Sequence, residues 1–166
     1  MPKGNCILIP KVSSEKRIYI PIGFMQPGVL CSDLVFIIPN ATLYHFGVLT
    51  SLVHNAWTRV VCGRLKSDYR YSKDIVYNNF PWPNVTDARV SEIMASAHAI
   101  LEAREKYPDS SLADLYDPIT MPPELRRAHQ DNDRAVMAAY GFSPKMTESE
   151  CVAELFRLYQ SLVAGR

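Results

Sequence analysis

The sequence predicts an α+β protein: a small mixed β region carrying one long helix, followed by an all-α C-terminal helical domain. Three observations lead there. The apolar runs ahead of residue 40 are short, β-rich and punctuated by Pro10, Pro21 and Pro39. Residues 42–62 change to apolar steps of three and four, the spacing of one helix face. Beyond Pro83 the pattern is helical throughout. The chain has 166 residues, 48% of them hydrophobic, enough to bury a core in one domain or two small ones. The predicted domains are 1–84 and 85–166.

The β region is expected to hold three strands: "CILI" at 6–9, "RIYIPI" at 17–22 and "DLVFII" at 33–38. The helix over 42–62 presents Leu43, Phe46, Leu49, Val53, Trp57, Val60 and Val61 on one face, with Thr42 as N-cap and Gly63 past its end. After "NNFPWP" (78–83), Thr86 caps a helix with Val90, Ile93, Met94, Ala97, Ile100 and Leu101 on its apolar face, running to about Tyr107. Residues 111–117 suit a short helical turn. Pro122 and Pro123 suit the first turn of the next helix, which ends near Gly141. "TESE" (147–150) is a capping box that opens a last helix to about Ala164.

Charge divides the chain. Residues 1–83 hold nine Lys/Arg against four Asp/Glu, a balance of +5, while residues 84–166 hold nine against thirteen, a balance of −4, giving +1 overall. A basic first half suits an anionic partner such as nucleic acid. The four cysteines, Cys6, Cys31, Cys62 and Cys151, lack zinc-ligand spacing, and their wide separation fits reduced thiols. No secretory leader is evident, and no apolar run approaches the roughly 18 residues that span a bilayer.

Catalytic motifs are missing. The chain contains no GxGxxG, P-loop, HExxH or GxSxG. His45, His54, His98 and His129 fall in helical patterns and read as surface or packed residues, and Asp131 and Asp133 read as a solvated helix face. Asn79-Phe80-Pro81-Trp82 departs from the Asn-Pro-Pro-aromatic motif of amino-methyltransferases. A packing role for Phe80 and Trp82 against the helical half suits it better.

"CGRLKSDYRYSKD" (62–74) is different. Six of its thirteen residues carry full charges, with tyrosines and serines between them. If extended, it alternates faces: Arg64, Lys66, Asp68, Arg70 and Ser72 on one, Leu65, Ser67, Tyr69, Tyr71 and Lys73 on the other. A strand that only grips phosphates gains nothing from Asp68. A strand that reads base edges does, because Lys and Arg donate to guanine O6 and N7 while Asp accepts from cytosine N4. The same composition also suits an exposed hairpin with cross-strand ion pairs.

Residues 39–83, with "PKVSSEKRIYIPIGF" (10–24) and "YPDSSLADLYDPITMPPELRRAHQDNDRAVMAAYG" (107–141), resemble the target-recognition and C-terminal portions of MmeI-like restriction–modification enzymes, and the resemblance covers nearly the whole chain. It implies a duplex DNA recognition module of an N6-adenine DNA methyltransferase, with no catalytic residue, cofactor or metal site in this chain. The parent would use S-adenosylmethionine, and Mg²⁺ for any nuclease. The implied partners are double-stranded DNA and a methyltransferase domain of the same or a separate chain, with no membrane, in a bacterial cytoplasm. By the same resemblance Lys66, Asp68 and Arg70 are base-reading candidates, Lys66 on guanine and Asp68 on cytosine of one G·C pair. Arg64, Ser67, Tyr69, Tyr71, Ser72 and Lys73 would contact the DNA backbone or support the reading strand, and Ser13, Ser14, Lys16 and Arg17 would form a second DNA-facing edge. The alternative is an interaction module that docks on a separate methyltransferase domain.

Overall fold

Backbone hydrogen-bonding capacity at Lys11 joins two small sheets. In the computed structural model, which describes residues 5–25 and 31–165, β1 (Ile7–Pro10) is the centre of the first sheet, between β3 (Gly23–Phe24) and β4 (Val35–Ile38). Its register pairs Ile7 with Ile38 and Ile9 with Phe36. β2 (Val12–Ser13) belongs to the second sheet, ordered β2-β6-β5, with β5 at Gly63–Leu65 and β6 at Asp68–Arg70. Between β1 and β2 the Lys11 N–H donates to Leu34 O (2.9 Å), and Lys11 O accepts from Tyr71 N–H (2.9 Å). Every strand pairing is antiparallel. The outer ends of the two expected domains, residues 1–4 and 166, lie outside the described residues.

The expected strand over 17–22 does not form. Pro21 removes a ladder donor, and the segment is held by side chains instead. Tyr19 is 2% exposed; its hydroxyl donates to Asp133 Oδ2 (2.7 Å) and its ring stacks on His129 (centroids 4.1 Å). The long helix is divided as well, into α1 (Leu43–Leu49) and α2 (Leu52–Val61). Ser51 supplies the break. Its Oγ accepts from His54 N–H (3.3 Å) as a new N-cap and donates to Val48 O (2.7 Å), and Asp133 Oδ1 accepts from Leu52 N–H (2.8 Å). Asp133 is therefore 5% exposed, not on a solvated face as its charged neighbours suggest. Burial drives its carboxyl up to about 6.

The later helices follow their sequence signals. They are α3 (Asp87–Glu105), α4 (Leu112–Leu115), α5 (Pro123–Tyr140) and α6 (Glu148–Ala164). Thr86, Ser111 and Thr147 act as N-caps, the last two in capping boxes. Gly141 ends α5 at φ 72°, where a Cβ would be strained.

Helices from both halves share one core. α1 packs on α3, α3 on α5, and α2 on α6. Phe46, Trp57, Ile93, Ile100, Leu125 and Leu155 sit in the same buried cluster. Phe80 joins it edge-on to His54 and Trp57, and Tyr140 Oη donates to Pro81 O (2.8 Å). Trp82, half-buried, packs against the same cluster, touching Phe80, Tyr44, His45 and Tyr77. Gly47 sets the α1–α3 approach: a Cβ there would lie 2.6 Å from Ile93 Cγ2 and 3.0 Å from Asn132 Oδ1. Asn132 Nδ2 donates to Gly47 O (2.8 Å) and Ser96 Oγ to Asn132 Oδ1 (2.9 Å), tying α1, α3 and α5 together. Gly47→Ala is expected to lower unfolding free energy by about 1–3 kcal/mol, the cost of overpacking, read as a shift in urea midpoint with unchanged slope.

Candidate nucleic-acid interface

The charged segment folds as a hairpin, so its side chains do not alternate as one strand. β5 and β6 pair Gly63 with Arg70, Arg64 with Tyr69 and Leu65 with Asp68, leaving Lys66 and Ser67 as the two-residue turn. Lys66 adopts φ 57°. Left-handed backbone of this kind favours Gly or Asn at a hairpin turn, and neither is present to announce it.

Directly opposed residues point to the same side of a sheet. Arg64 therefore shares a face with Tyr69 and Ser13, its guanidinium 4.3 Å from the Tyr69 ring centroid. Tyr69 is 8% exposed, so this is the inner face. The outer face carries Val12, Leu65, Asp68 and Arg70. Arg70 is exposed there, as are Val12 and Leu65, and Asp68 is half-buried. Lys66 projects from the turn. The sequence pattern missed Val12 and Leu65, because the reversal at 66–67 that brings them beside Asp68 and Arg70 carries no turn signature.

The surrounding side chains hold the hairpin rather than extend it. Arg64 NH1 donates to Ser67 O (3.0 Å) and to Glu15 Oε2 (3.3 Å), which fixes the turn to the loop after β2. Tyr71 is buried, its hydroxyl 2.9 Å from His54 Nε2. Ser72 Oγ accepts from Ile75 N–H (3.4 Å) and caps a π turn, Lys73–Tyr77. Lys73 is exposed at a cavity of about 360 Å³ lined by Phe36, Ile37, Tyr71 and Tyr77. Ser13 is buried with no partner for its Oγ. Ser14, Lys16 and Arg17 follow on a partly exposed turn; Ser14 Oγ accepts from Lys16 N–H (3.3 Å).

The charges fall into two groups. Arg59 is paired with Glu148 (2.6 Å) and Arg64 with Glu15. Among the described residues, the side chains of Lys66, Asp68 and Arg70 have no ion-pair partner. The open alternative of cross-strand ion pairs is thus not realised within the hairpin. Two donors and one acceptor stand uncommitted on a braced hairpin, backed by helices, in an arrangement suited to recognising a polar ligand.

Among the histidines, His54 and His129 are fully buried, while His98 is exposed. Burial pushes His54 down to about 3, and lowers His129 with help from Arg104. Tyr116 connects Arg104 and His129: its hydroxyl accepts from Arg104 Nε (2.9 Å) and lies 2.6 Å from His129 Nε2.

Two family profiles match the chain: "MmeI, target recognition domain" over residues 1–84 and "MmeI, C-terminal domain" over residues 85–165. DNA methyltransferase A of Bacillus subtilis (strain 168) is 41% identical over 156 residues, which is 94% of this chain and 18% of that protein. The solved structure of the Type IIL restriction-modification enzyme MmeI in complex with DNA is 48% identical, with a TM-score of 0.94, over 98% of this chain and 22% of its own. The chain belongs to the MmeI family, as a target recognition domain joined to that family's C-terminal domain. It spans about a fifth of the length of these two relatives.

Proposed function

We propose that this chain reads base edges of duplex DNA through the β5–β6 hairpin, with Lys66 and Asp68 on one base pair and Arg70 on its neighbour. The observation that carries the reading is that Lys66, Asp68 and Arg70 stand without ion-pair partners, among the described residues, on a hairpin whose Arg64 is held by Glu15. Lys66 would donate to guanine O6 and N7 and Asp68 accept from cytosine N4, which assigns a G·C pair. Arg64, Tyr69, Tyr71 and Ser72 support the hairpin from behind; Ser67 and Lys73 lie toward the backbone. The turn at Ser14, Lys16 and Arg17 is a second DNA-facing edge, with Ser13 holding its base.

The activity served is S-adenosylmethionine-dependent N6 methylation of adenine, carried out by a methyltransferase domain of the same or a separate chain in a bacterial cytoplasm. Mg²⁺ would serve any nuclease attached to it. This chain would bind neither cofactor. Among the described residues no helix is long and apolar enough to cross a membrane. A second reading, docking on that methyltransferase domain, is favoured by one observation: Leu158, Leu162 and Val163 lie exposed on α6.

Selection of bound duplexes from a randomised pool separates the two. The chain should enrich a defined motif, and Lys66→Ala should relax one position of it by about 1–3 kcal/mol of discrimination. An unchanged motif would remove the base-reading assignment, and a chain that enriches nothing would leave docking.

A further inference from the structure

The loop between α4 and α5 holds an isoleucine outward on a hydrogen-bonded turn. Ile119 is 90% exposed. Its backbone is fixed on three sides: Asp117 Oδ1 accepts from Ile119 N–H (2.9 Å) and Thr120 N–H (3.2 Å), Thr120 Oγ1 donates to Asp114 O (3.3 Å), and Met121 N–H donates to Asp117 O (3.0 Å). Arg126 NH2 donates to Pro118 O (3.4 Å) from α5 behind it. A lone exposed aliphatic residue is ordinary, but one presented on a braced loop has little ordering entropy left to lose on contact.

Its neighbours come from the other half of the chain. Ser14, Lys16 and Arg17 face Asp117, Pro118 and Ile119 across a cleft of about 380 Å³. Among the described residues neither Lys16 nor Arg17 has an ion-pair partner, and Arg17 Nε is buried without an acceptor. The Asp117 carboxylate is already engaged by two backbone N–H groups. The same turn reaches the hairpin: Glu15 pairs with Arg64, and Arg17 lines a crevice with Tyr69. Two cations without ion-pair partners beside a hydrogen-bonded apolar tip match the edge of a duplex, where phosphates alternate with the apolar faces of deoxyriboses.

We infer that Ile119 and Pro118, on the helical half, form a second DNA contact with Lys16 and Arg17, seated on the sugar–phosphate edge of the duplex flanking the bases that the hairpin reads. The inference rests on the DNA-reading assignment above. It makes the helical half a direct DNA ligand and gives a footprint longer than the read sequence, with no base preference at the added end.

The test is hydroxyl-radical footprinting, which reports deoxyribose exposure, on a duplex that carries the selected motif, together with a salt titration of affinity. Ile119 is so exposed that its replacement leaves the core intact. Ile119→Ala should weaken binding about fivefold and Ile119→Glu more than about tenfold. Both should lose protection at one end of the footprint while the motif stays the same. Lys16→Ala should lower the slope of log affinity against log salt by about one. Ile119 variants with wild-type affinity and footprint, in a protein where Lys66→Ala still relaxes the motif, would overturn the helical contact and leave the hairpin reading standing. An end protection lost in Ile119→Glu, with the motif untouched by Lys66→Ala and Arg70→Ala, would support the contact and remove the hairpin reading. A wild-type chain that protects no duplex would overturn both.

Discussion

Replacing Asp68 by alanine is expected to tighten binding to unrelated duplex DNA while relaxing preference at one base pair. The two effects have opposite sign because the carboxylate has two relations to DNA. Against phosphates it is repulsive at every sequence. Against cytosine N4 it is an acceptor, and that gain exists only where the pair is correct. Half-burial on β6, between Leu65 across the hairpin and Arg70 two residues on, fixes where it points. Its removal should cost about 1–3 kcal/mol of discrimination at one position. Non-cognate affinity, measured by anisotropy at several salt concentrations, should rise at the same time. A structural acid would give a different pattern: lower affinity for every duplex, with the order of preference preserved.

Acidification should destabilise the protein before most of its carboxylates are protonated, because two histidines are buried neutral. His54 titrates near its ordinary 6.5 when unfolded and at about 3 when folded. Below pH 6.5 the unfolded chain therefore binds a proton that the folded one refuses. Stability is present above 6.5 and is lost progressively down to about 3. Between pH 7 and pH 4.5 this amounts to about 2–3 kcal/mol from His54, and His129 acts in the same direction. Asp133 opposes them. Its carboxyl is raised from 3.8 to about 6, so the folded chain binds the extra proton between those values. That contribution is full below 3.8 and lost as pH rises through 6, which returns about 2 kcal/mol at pH 4.5. Asp133→Asn should accordingly make the acid loss steeper. Urea unfolding from pH 7 to pH 4.5 checks both: a flat wild-type profile, or a variant profile parallel to it, would contradict this account.

Elements whose causes are local were legible in the sequence. Thr86 and Thr147 announce α3 and α6 because a cap acts within three residues, and Gly141 ends α5 for the same reason. Elements decided at long range were not. Tyr19 reads as part of a strand, and what holds it is a carboxylate 114 positions away. Residues 42–62 read as one helix because their apolar spacing is continuous, and Asp133 helps to divide them by capping Leu52. In the charged segment the pattern gave the wrong partition of faces, since a lysine in the left-handed region at the turn looks like any other surface lysine. The placement of Asp68 and Arg70 on one face survived that error, because both lie on β6. Arg64 did not, because it lies across the turn.

The shared core carries a practical meaning for protein engineering. The two family profiles meet between residues 84 and 85, but Phe46, Trp57, Ile93, Ile100 and Leu155 belong to one cluster across that join. A cut made there would strip apolar faces from both pieces, and a chimaera joined there would inherit two mismatched halves of one interior. The β5–β6 hairpin is the reverse case: it crosses the surface, and its turn is exposed. Residue-by-residue changes at the hairpin would leave that interior untouched, with α1 to α6 kept as a single inherited set of helices around it.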